Sequence, residues 1–204
     1  MKKLIAVTSM ITAITSSSAF AKTEGHYVGA DISSVHTNNI YLTDGANTPD
    51  YRRFKDNSVG FGVNYKHAFN FDRVFIAPGV FFDHLDSKAV DQDEDTMKVN
   101  HRYGAKLDVG YDVTDTFAAY VSAGVDRVNY TMDWKSQGKD KTDSKTGILF
   151  GVGLAYQICK DFTVNVEYNT QTIQPITPYD VNPDEINEVK TRIDVTKIGV
   201  SYHF

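Results

Sequence analysis

The chain has 204 residues, of which 41% are hydrophobic and 23% are charged, and it contains 14 glycines, five prolines and one cysteine. This composition is typical of an ordered protein rather than a disordered one, and a single cysteine excludes an internal disulfide. The formal net charge of −5 disfavours nucleic acid as a partner.

The first 21 residues have the pattern of a secretory signal peptide. A pair of lysines forms a basic start, an apolar stretch follows, and Ala19 and Ala21 provide the small residues of a cleavage site. The apolar stretch is too short to supply the about 20 residues of a membrane-spanning helix. We therefore expect residues 1–21 to be removed and residues 22–204 to form one barrel domain. Removing the two lysines leaves 19 basic against 26 acidic side chains, a net charge of −7.

Apolar and polar side chains alternate in eight later segments, and none of these segments is long enough for a membrane helix. Alternation gives a strand one apolar face and one polar face, because successive side chains point to opposite sides. The predicted strands lie at about 25–34, 57–68, 73–85, 97–112, 117–130, 146–157, 162–173 and 190–204.

The connections between these strands alternate in length. Long polar connections are predicted at 35–56, 86–96, 131–145 and 174–189, and short ones at 69–72, 113–116 and 158–161. This alternation is typical of an outer-membrane barrel with its short turns in the periplasm and its long loops outside. The only cysteine, Cys159, lies in a predicted short turn, where we expect an unpaired thiol.

Aromatic residues mark the same position in each pair of strands. Four tyrosines follow one another at intervals of 46, 45 and 46 residues, which indicates a repeated two-strand unit. With the phenylalanines beside the short turns they are predicted to form one interfacial girdle: Tyr65, Phe71, Tyr111, Phe117, Tyr156, Phe162, Tyr202 and Phe204. A β-sandwich or a soluble carrier barrel would also alternate. The carrier barrel, however, needs an apolar interior, which a face of Lys, Asp, Glu and Gly cannot provide.

The signal peptide, the eight segments, the four long loops and the Gly-Val-Ser-Tyr-His-Phe ending resemble the small outer-membrane β-barrel families. These include the opacity-protein family of surface porins and the membrane domain of outer membrane protein A. The resemblance implies an all-β, eight-stranded antiparallel up-and-down transmembrane barrel in a Gram-negative outer membrane. It also implies contact with the lipid bilayer and recognition of the terminal Phe204 by the barrel-assembly machinery. It leaves function open, because these families share a scaffold and differ in their loops.

An eight-stranded barrel is filled by its own side chains, so the lumen is predicted to be a packed polar core, with an ion or proton path as the alternative. Buried charges need partners. We therefore expect a closed network of ion pairs among the inward-facing charged residues: Asp31, Arg102, Lys106, Asp108, Asp126, Glu167 and Lys197.

The aromatic marks also predict which charges lie opposite one another. If Tyr111 faces Phe117 across a short turn, then Arg102 faces Asp126 on the next strand. The same reasoning pairs Glu167 with Lys197. Strand 73–85 is apolar at both phases, so its facing is ambiguous, and a bulge is predicted at Pro78-Gly79, because proline removes a ladder hydrogen bond.

The sequence contains neither a His-x-Ser pair, as found in lipid A deacylases, nor a Gly-x-Ser-x-Gly elbow. His84 has Asp83, Asp86 and Ser87 nearby, which we interpret as a polar strand end. The acidic run 91–95 lacks the central glycine of a calcium loop. We expect no catalytic residue, no cofactor and no metal site.

The predicted function is that of a surface-exposed barrel of structural or adhesin type, present as a monomer. Its four long loops carry mixed charges and aromatic residues, which suits contact with host or envelope proteins or glycans. The alternatives are a narrow, low-conductance channel and, less favoured, a lipid-modifying enzyme.

Overall fold

The computed structural model describes residues 24–43, 50–90, 96–134, 139–176 and 187–204. The predicted signal peptide with its cleavage site and the acidic run 91–95 lie outside these ranges. Within them, no helix is long and apolar enough to cross a membrane. The regular structure consists of eight strands: β1 (Gly25–Thr43), β2 (Asp50–Phe71), β3 (Val74–Val90), β4 (Thr96–Asp112), β5 (Phe117–Trp134), β6 (Lys139–Cys159), β7 (Phe162–Ile176) and β8 (Asn187–His203).

The eight strands form a closed barrel in chain order, and each strand is antiparallel to both neighbours. β1 closes the wall against β8, from Tyr27 opposite His203 to Thr43 opposite Asn187. The predicted all-β, eight-stranded up-and-down barrel is therefore confirmed. The short connections lie at one end of the barrel, here called the short-turn end, and the long connections lie at the other, the long-loop end.

The outer wall carries an apolar band. Ile32 and Ile198, opposed on β1 and β8, expose 67% and 62% of their surface. Such exposure continues around the barrel through Val, Leu, Phe and Tyr side chains on every strand. A contiguous apolar surface of this extent would be a liability in water and indicates a lipid-facing wall.

Several strands are longer than predicted. β1 continues to Thr43, β2 begins at Asp50, and β6 begins at Lys139. On β1 the apolar alternation ends near Ile32, because the next outward side chain, Ser34, lies beyond the apolar band. The backbone hydrogen-bond ladder between β1 and β2 nevertheless continues. Since about 9–11 residues cross a membrane as a strand, these strands of 19, 22 and 21 residues extend well beyond it. The predicted long loops are thus partly β-hairpins.

The facing of β3 is resolved by the structure. Phe75, Ala77 and Asp83 are buried in the lumen, whereas Val80 and Phe82 are exposed on the outer wall. Both phases are apolar because the inward phase lies in part against a buried aromatic cluster rather than against charges.

The predicted bulge at Pro78-Gly79 is wrong. Pro78 is exposed and stays in continuous register opposite Leu107. On its other side the ladder is interrupted and then resumes in the same register, so the missing N–H causes no slip. The register shifts further along β3, between His84 and Ser87.

The lumen has three layers. At the short-turn end lies a buried cluster of aromatic and small residues: Tyr27, Ala68, Phe75, Ala77, Ala118 and Tyr120. The charged residues occupy the middle. Towards the long-loop end lies a third group, here called the apolar layer, whose members are each at most 1% exposed: Val35, Leu85, Val99, Val128, Ile173, Ile193 and Val195. The predicted packed polar core is only partly right, because two of the three layers are largely apolar.

Candidate functional site: the lumen and the outer wall

The central contact of the charged layer joins Arg102 and Asp83. The Arg102 Nε donates to Asp83 Oδ2 at 2.9 Å, and neither side chain is more than 1% exposed. Lys197 donates to the other oxygen of Asp83 at 2.5 Å and lies 3.4 Å from Asp31. Asp83 thus links an arginine on β4 to a lysine on β8 across the lumen.

The predicted pairing of Arg102 with Asp126 is only partly right. Arg102 lies opposite Val128, and Asp126 lies opposite Gly104, so the predicted register is displaced by two residues. The cause is the turn, since Tyr111 pairs with Ala119 rather than with Phe117. Arg102 Nη1 still approaches Asp126 Oδ2 diagonally, at 3.8 Å, which is too far for a hydrogen bond.

Gln171 connects these two groups. Its Nε2 donates to Asp126 Oδ1 at 2.5 Å, and its Oε1 accepts from Arg102 Nη1 at 3.1 Å. Gln171 is 1% exposed and was not predicted as a site residue. Its inward position could have been predicted, because it lies four residues after Glu167 and therefore on the same face of β7.

The predicted opposition of Glu167 and Lys197 is the register that the structure has. Their ion-pair partners nevertheless differ from the prediction. Glu167 accepts from Lys106 Nζ at 2.6 and 2.7 Å, whereas Lys197 contacts Asp83 and Asp31. A small barrel brings side chains of non-neighbouring strands together across its axis, so adjacency in the wall does not decide the partner.

Lys106 and Asp108 lie in the part of the charged layer nearer the short-turn end. Lys106 lies 3.5 Å from Asp108, which also accepts from Lys66 at 3.2 Å and from the Ser122 hydroxyl at 2.7 Å. The Tyr120 hydroxyl donates to Glu167 Oε2 at 2.8 Å. All seven predicted lumen residues are therefore inside the barrel, together with Asp83 and Lys66, which the sequence reasoning missed.

Asp83 was missed because the facing of its strand was ambiguous. Lys66 was also missed, although its inward position could have been predicted because it follows the inward-facing Gly62 and Asn64 at a spacing of two residues.

Glycines make room for these side chains at two places. A Cβ on Gly62 would collide with the carboxylates of Asp83 and Asp31, and one on Gly153 would collide with the ring of Tyr120. The missing side chains permit the close approach of groups from across the lumen.

A cavity of about 60 Å³ lies below the charged layer, towards the short-turn end. Its lining includes Tyr27, Asp31, Lys66, Tyr120 and Glu167. A buried water needs roughly 10–15 Å³ of such space, so the cavity has room for about four waters among polar side chains. It does not extend to the apolar layer, since none of that layer's residues lines it.

The predicted girdle residues lie on the outer wall. Seven of them are exposed and Phe117 is half-buried. The Phe162 and Tyr202 rings are 5.3 Å apart, and Tyr202 is 5.6 Å from Phe204. Placement at one end of the wall is what an aromatic belt requires, and its contact with lipid headgroups remains our proposal.

The polar residues around His84 do not converge. Asp83 and Ser87 point into the lumen, whereas His84 packs against Phe61 on the outer wall with ring centroids 5.0 Å apart. Asp86 pairs with Lys98 at 2.9 Å. Strand alternation therefore separates the groups that a triad would have to bring together. Among the residues that the structure describes, no three His, Cys, Asp or Glu side chains form a group that could hold a metal ion.

A closed barrel with an apolar outer wall and paired charges inside defines the class of outer-membrane barrel proteins, because a sheet in lipid satisfies every backbone group only when it is closed. The chain belongs to the family described as outer membrane protein beta-barrel domain, whose model matches residues 6–204. It is a protein of the Gram-negative outer membrane. Among curated protein sequences, none matches it significantly.

Solved structures share the fold at low identity. Neisserial surface protein A is 16% identical with a TM-score of 0.53, covering 89% of this chain and 98% of its own. The outer membrane protein OprG from Pseudomonas aeruginosa is 16% identical with a TM-score of 0.52, covering 89% and 96%. The outer membrane protease OmpT from Escherichia coli is 9% identical with a TM-score of 0.55, covering 94% and 100%. At these identities the likeness is one of fold.

Proposed function

We propose that this chain is a closed, non-conducting surface barrel of structural or adhesin type, whose long hairpins contact host or envelope proteins or glycans. Its short turns face the periplasm and its hairpins face outward. The observation that carries the proposal is the apolar layer, which occupies the lumen with seven fully buried aliphatic side chains.

The apolar layer argues against the channel alternative. An ion crossing it would lose its hydration without gaining a polar partner, which is strongly unfavourable. Beneath it, Arg102 binds Asp83 on the neighbouring strand, and Lys197 reaches the same carboxylate from across the lumen. The cavity at the short-turn end is then a vestibule that stops below the apolar layer rather than half of a pore.

The hairpins supply the surface for contact. β1 and β2 remain paired from Val35 opposite Ser58 to Thr43 opposite Asp50, above the apolar band. β5 and β6 likewise remain paired to Trp134 opposite Lys139. Continuous ladders of this length present the connecting segments on a rigid support, which reduces the entropy lost on binding.

Truncated hairpins test the proposal. Thr37 lies opposite Asp56, and Thr131 lies opposite Thr142. Replacing residues 38–55, or residues 132–141, by an Asn-Gly turn would shorten each hairpin while keeping its register. Neither change touches the apolar layer.

Cells displaying the full barrel should adhere to arrays of matrix proteins and glycans above an empty-vector strain, and both truncations together should abolish the difference. Heat-modifiable mobility in electrophoresis provides the control for folding. Equal adhesion by the folded, doubly truncated barrel would refute the adhesive role of these hairpins.

A further inference from the structure

Two histidines meet at the short-turn end of the outer wall. His26 on β1 lies directly opposite His67 on β2, and both point outward, because their neighbours Tyr27 and Ala68 are buried in the lumen. The imidazole centroids are 4.3 Å apart, and the two Nδ1 atoms are 3.3 Å apart. The Tyr65 hydroxyl lies 2.7 Å from His26 Nδ1. Three potential ligand atoms thus converge on one small region.

The spacing of the two nitrogens suits a shared metal ion. Imidazole nitrogens bind zinc at about 2.0–2.1 Å in tetrahedral geometry, which places two of them about 3.3–3.4 Å apart. The distance between His26 Nδ1 and His67 Nδ1, 3.3 Å, agrees with this separation.

The surroundings hold the rings in place and do not oppose a cation. Phe69 packs edge-on against His67 with centroids 4.5 Å apart, and Phe204 stacks on His26 at 6.2 Å. Lys66 points to the other side of the wall, where it binds Asp108 at 3.2 Å. Its positive charge is therefore engaged inside the lumen.

His203 is close in space but belongs to a different arrangement. Its ring stacks on Tyr27 with centroids 4.6 Å apart, and its Nε2 lies 2.8 Å from the Glu24 carbonyl oxygen. It does not join the pair on the outer wall. The converging groups are therefore two imidazole rings with the Tyr65 hydroxyl beside them.

We infer that His26 and His67, with Tyr65 beside them, form a surface binding site for a divalent transition-metal cation of the zinc type. Imidazole ligands select zinc, copper or nickel over magnesium and calcium, which prefer oxygen. Because the site joins β1 to β2, a bound cation would link the first two strands of the barrel at their short-turn end.

The chain contains a matched control at the opposite end of the wall. His84 and His101 are also directly opposed on neighbouring strands and also point outward. Their rings have separate partners. His84 packs against Phe61, whereas His101 packs against Phe82 at 5.6 Å and its Nε2 lies 2.7 Å from the Asn129 side-chain nitrogen. Opposed register alone therefore does not create the converging geometry.

The test is a titration of zinc chloride into the chelator-treated, detergent-folded full chain, in competition with a chromophoric chelator. We expect one equivalent per barrel. Mutating a residue that only orients a metal ligand lowers metal affinity about 10–100-fold. Removing a ligand itself, as in His26→Ala or His67→Ala, should therefore lower the zinc affinity at least about tenfold. His84→Ala should bind as the wild type does. Equal binding by the His67→Ala variant, or an equal loss in the His84→Ala variant, would overturn the inference.

A second measurement keeps the test valid if an alanine variant fails to fold. Copper(II) added to the wild-type barrel should give an electron paramagnetic resonance spectrum with hyperfine coupling to two imidazole nitrogens. Coupling to one nitrogen or to none would contradict a two-histidine site.

Discussion

The contact between Arg102 and Asp83 provides a quantitative test of the sealed lumen. Both side chains are buried, and the Nε–Oδ2 distance is 2.9 Å. Replacing Arg102 by methionine leaves Asp83 in contact with Lys197, and it removes the one cation that lies within ion-pair distance of Asp126 among the described residues. Removing one partner of a buried ion pair typically costs about 3–5 kcal/mol, and we expect a loss of unfolding free energy at the lower end, because Lys197 remains.

A double-mutant cycle isolates the pair. With Arg102→Met and Asp83→Leu, we expect a coupling energy of about 1.5–3 kcal/mol, the range for hydrogen bonds to charged groups. The cycle for Arg102 and Asp126 should give a smaller value, since that distance is 3.8 Å. Reversible urea unfolding in lipid vesicles, followed by tryptophan fluorescence, is the measurement.

The pair of Lys98 and Asp86 is the matched control. Its atoms are also 2.9 Å apart, but its side chains are 45% and 55% exposed. An exposed pair contributes about 0.2–1 kcal/mol. If the Arg102–Asp83 coupling were no larger than that of Lys98–Asp86, the Arg102–Asp83 contact would be hydrated and our account of a sealed lumen would be refuted.

Three further expectations concern packing, assembly and orientation. Gly153→Ala should destabilise the barrel by about 1–3 kcal/mol, because the added methyl meets the Tyr120 ring; unchanged urea unfolding would contradict this. Deleting Phe204 should slow assembly in cells, and a pulse-chase with wild-type kinetics would exclude its role as the recognition signal. A membrane-impermeant maleimide should label Cys159, at the short-turn end of β6, only after the outer membrane is permeabilised, and labelling of intact cells would reverse the proposed orientation.

The fold could be predicted from the sequence because lipid imposes a simple rule on the outer wall. Side chains such as Phe61, Val63 and Tyr65 alternate with polar or small residues only while the strand crosses the band. The ends of β1 and β2 could not be placed in the same way. Beyond the band the outward positions become polar, so the sequence there no longer shows the apolar alternation that would identify a strand.

The interior was harder to predict, because some partners in a narrow barrel come from strands that are not neighbours. The Lys106–Glu167 pair joins β4 to β7. Part of the apolar layer could be predicted from the sequence, since Val195 lies two residues before the inward-facing Lys197 and therefore also points inward. Val99 was not, because the register shift between Val99 and His101 reverses the phase of β4 at that point.

Planar-bilayer recording of the purified barrel tests the central claim most directly. The proposal predicts no stable conductance steps from the full chain. It also predicts none from the barrel with both hairpins truncated, because the seal is the apolar layer within the wall and not the loops above it. Large, stable, voltage-independent steps from either protein would contradict the closed lumen and favour the channel.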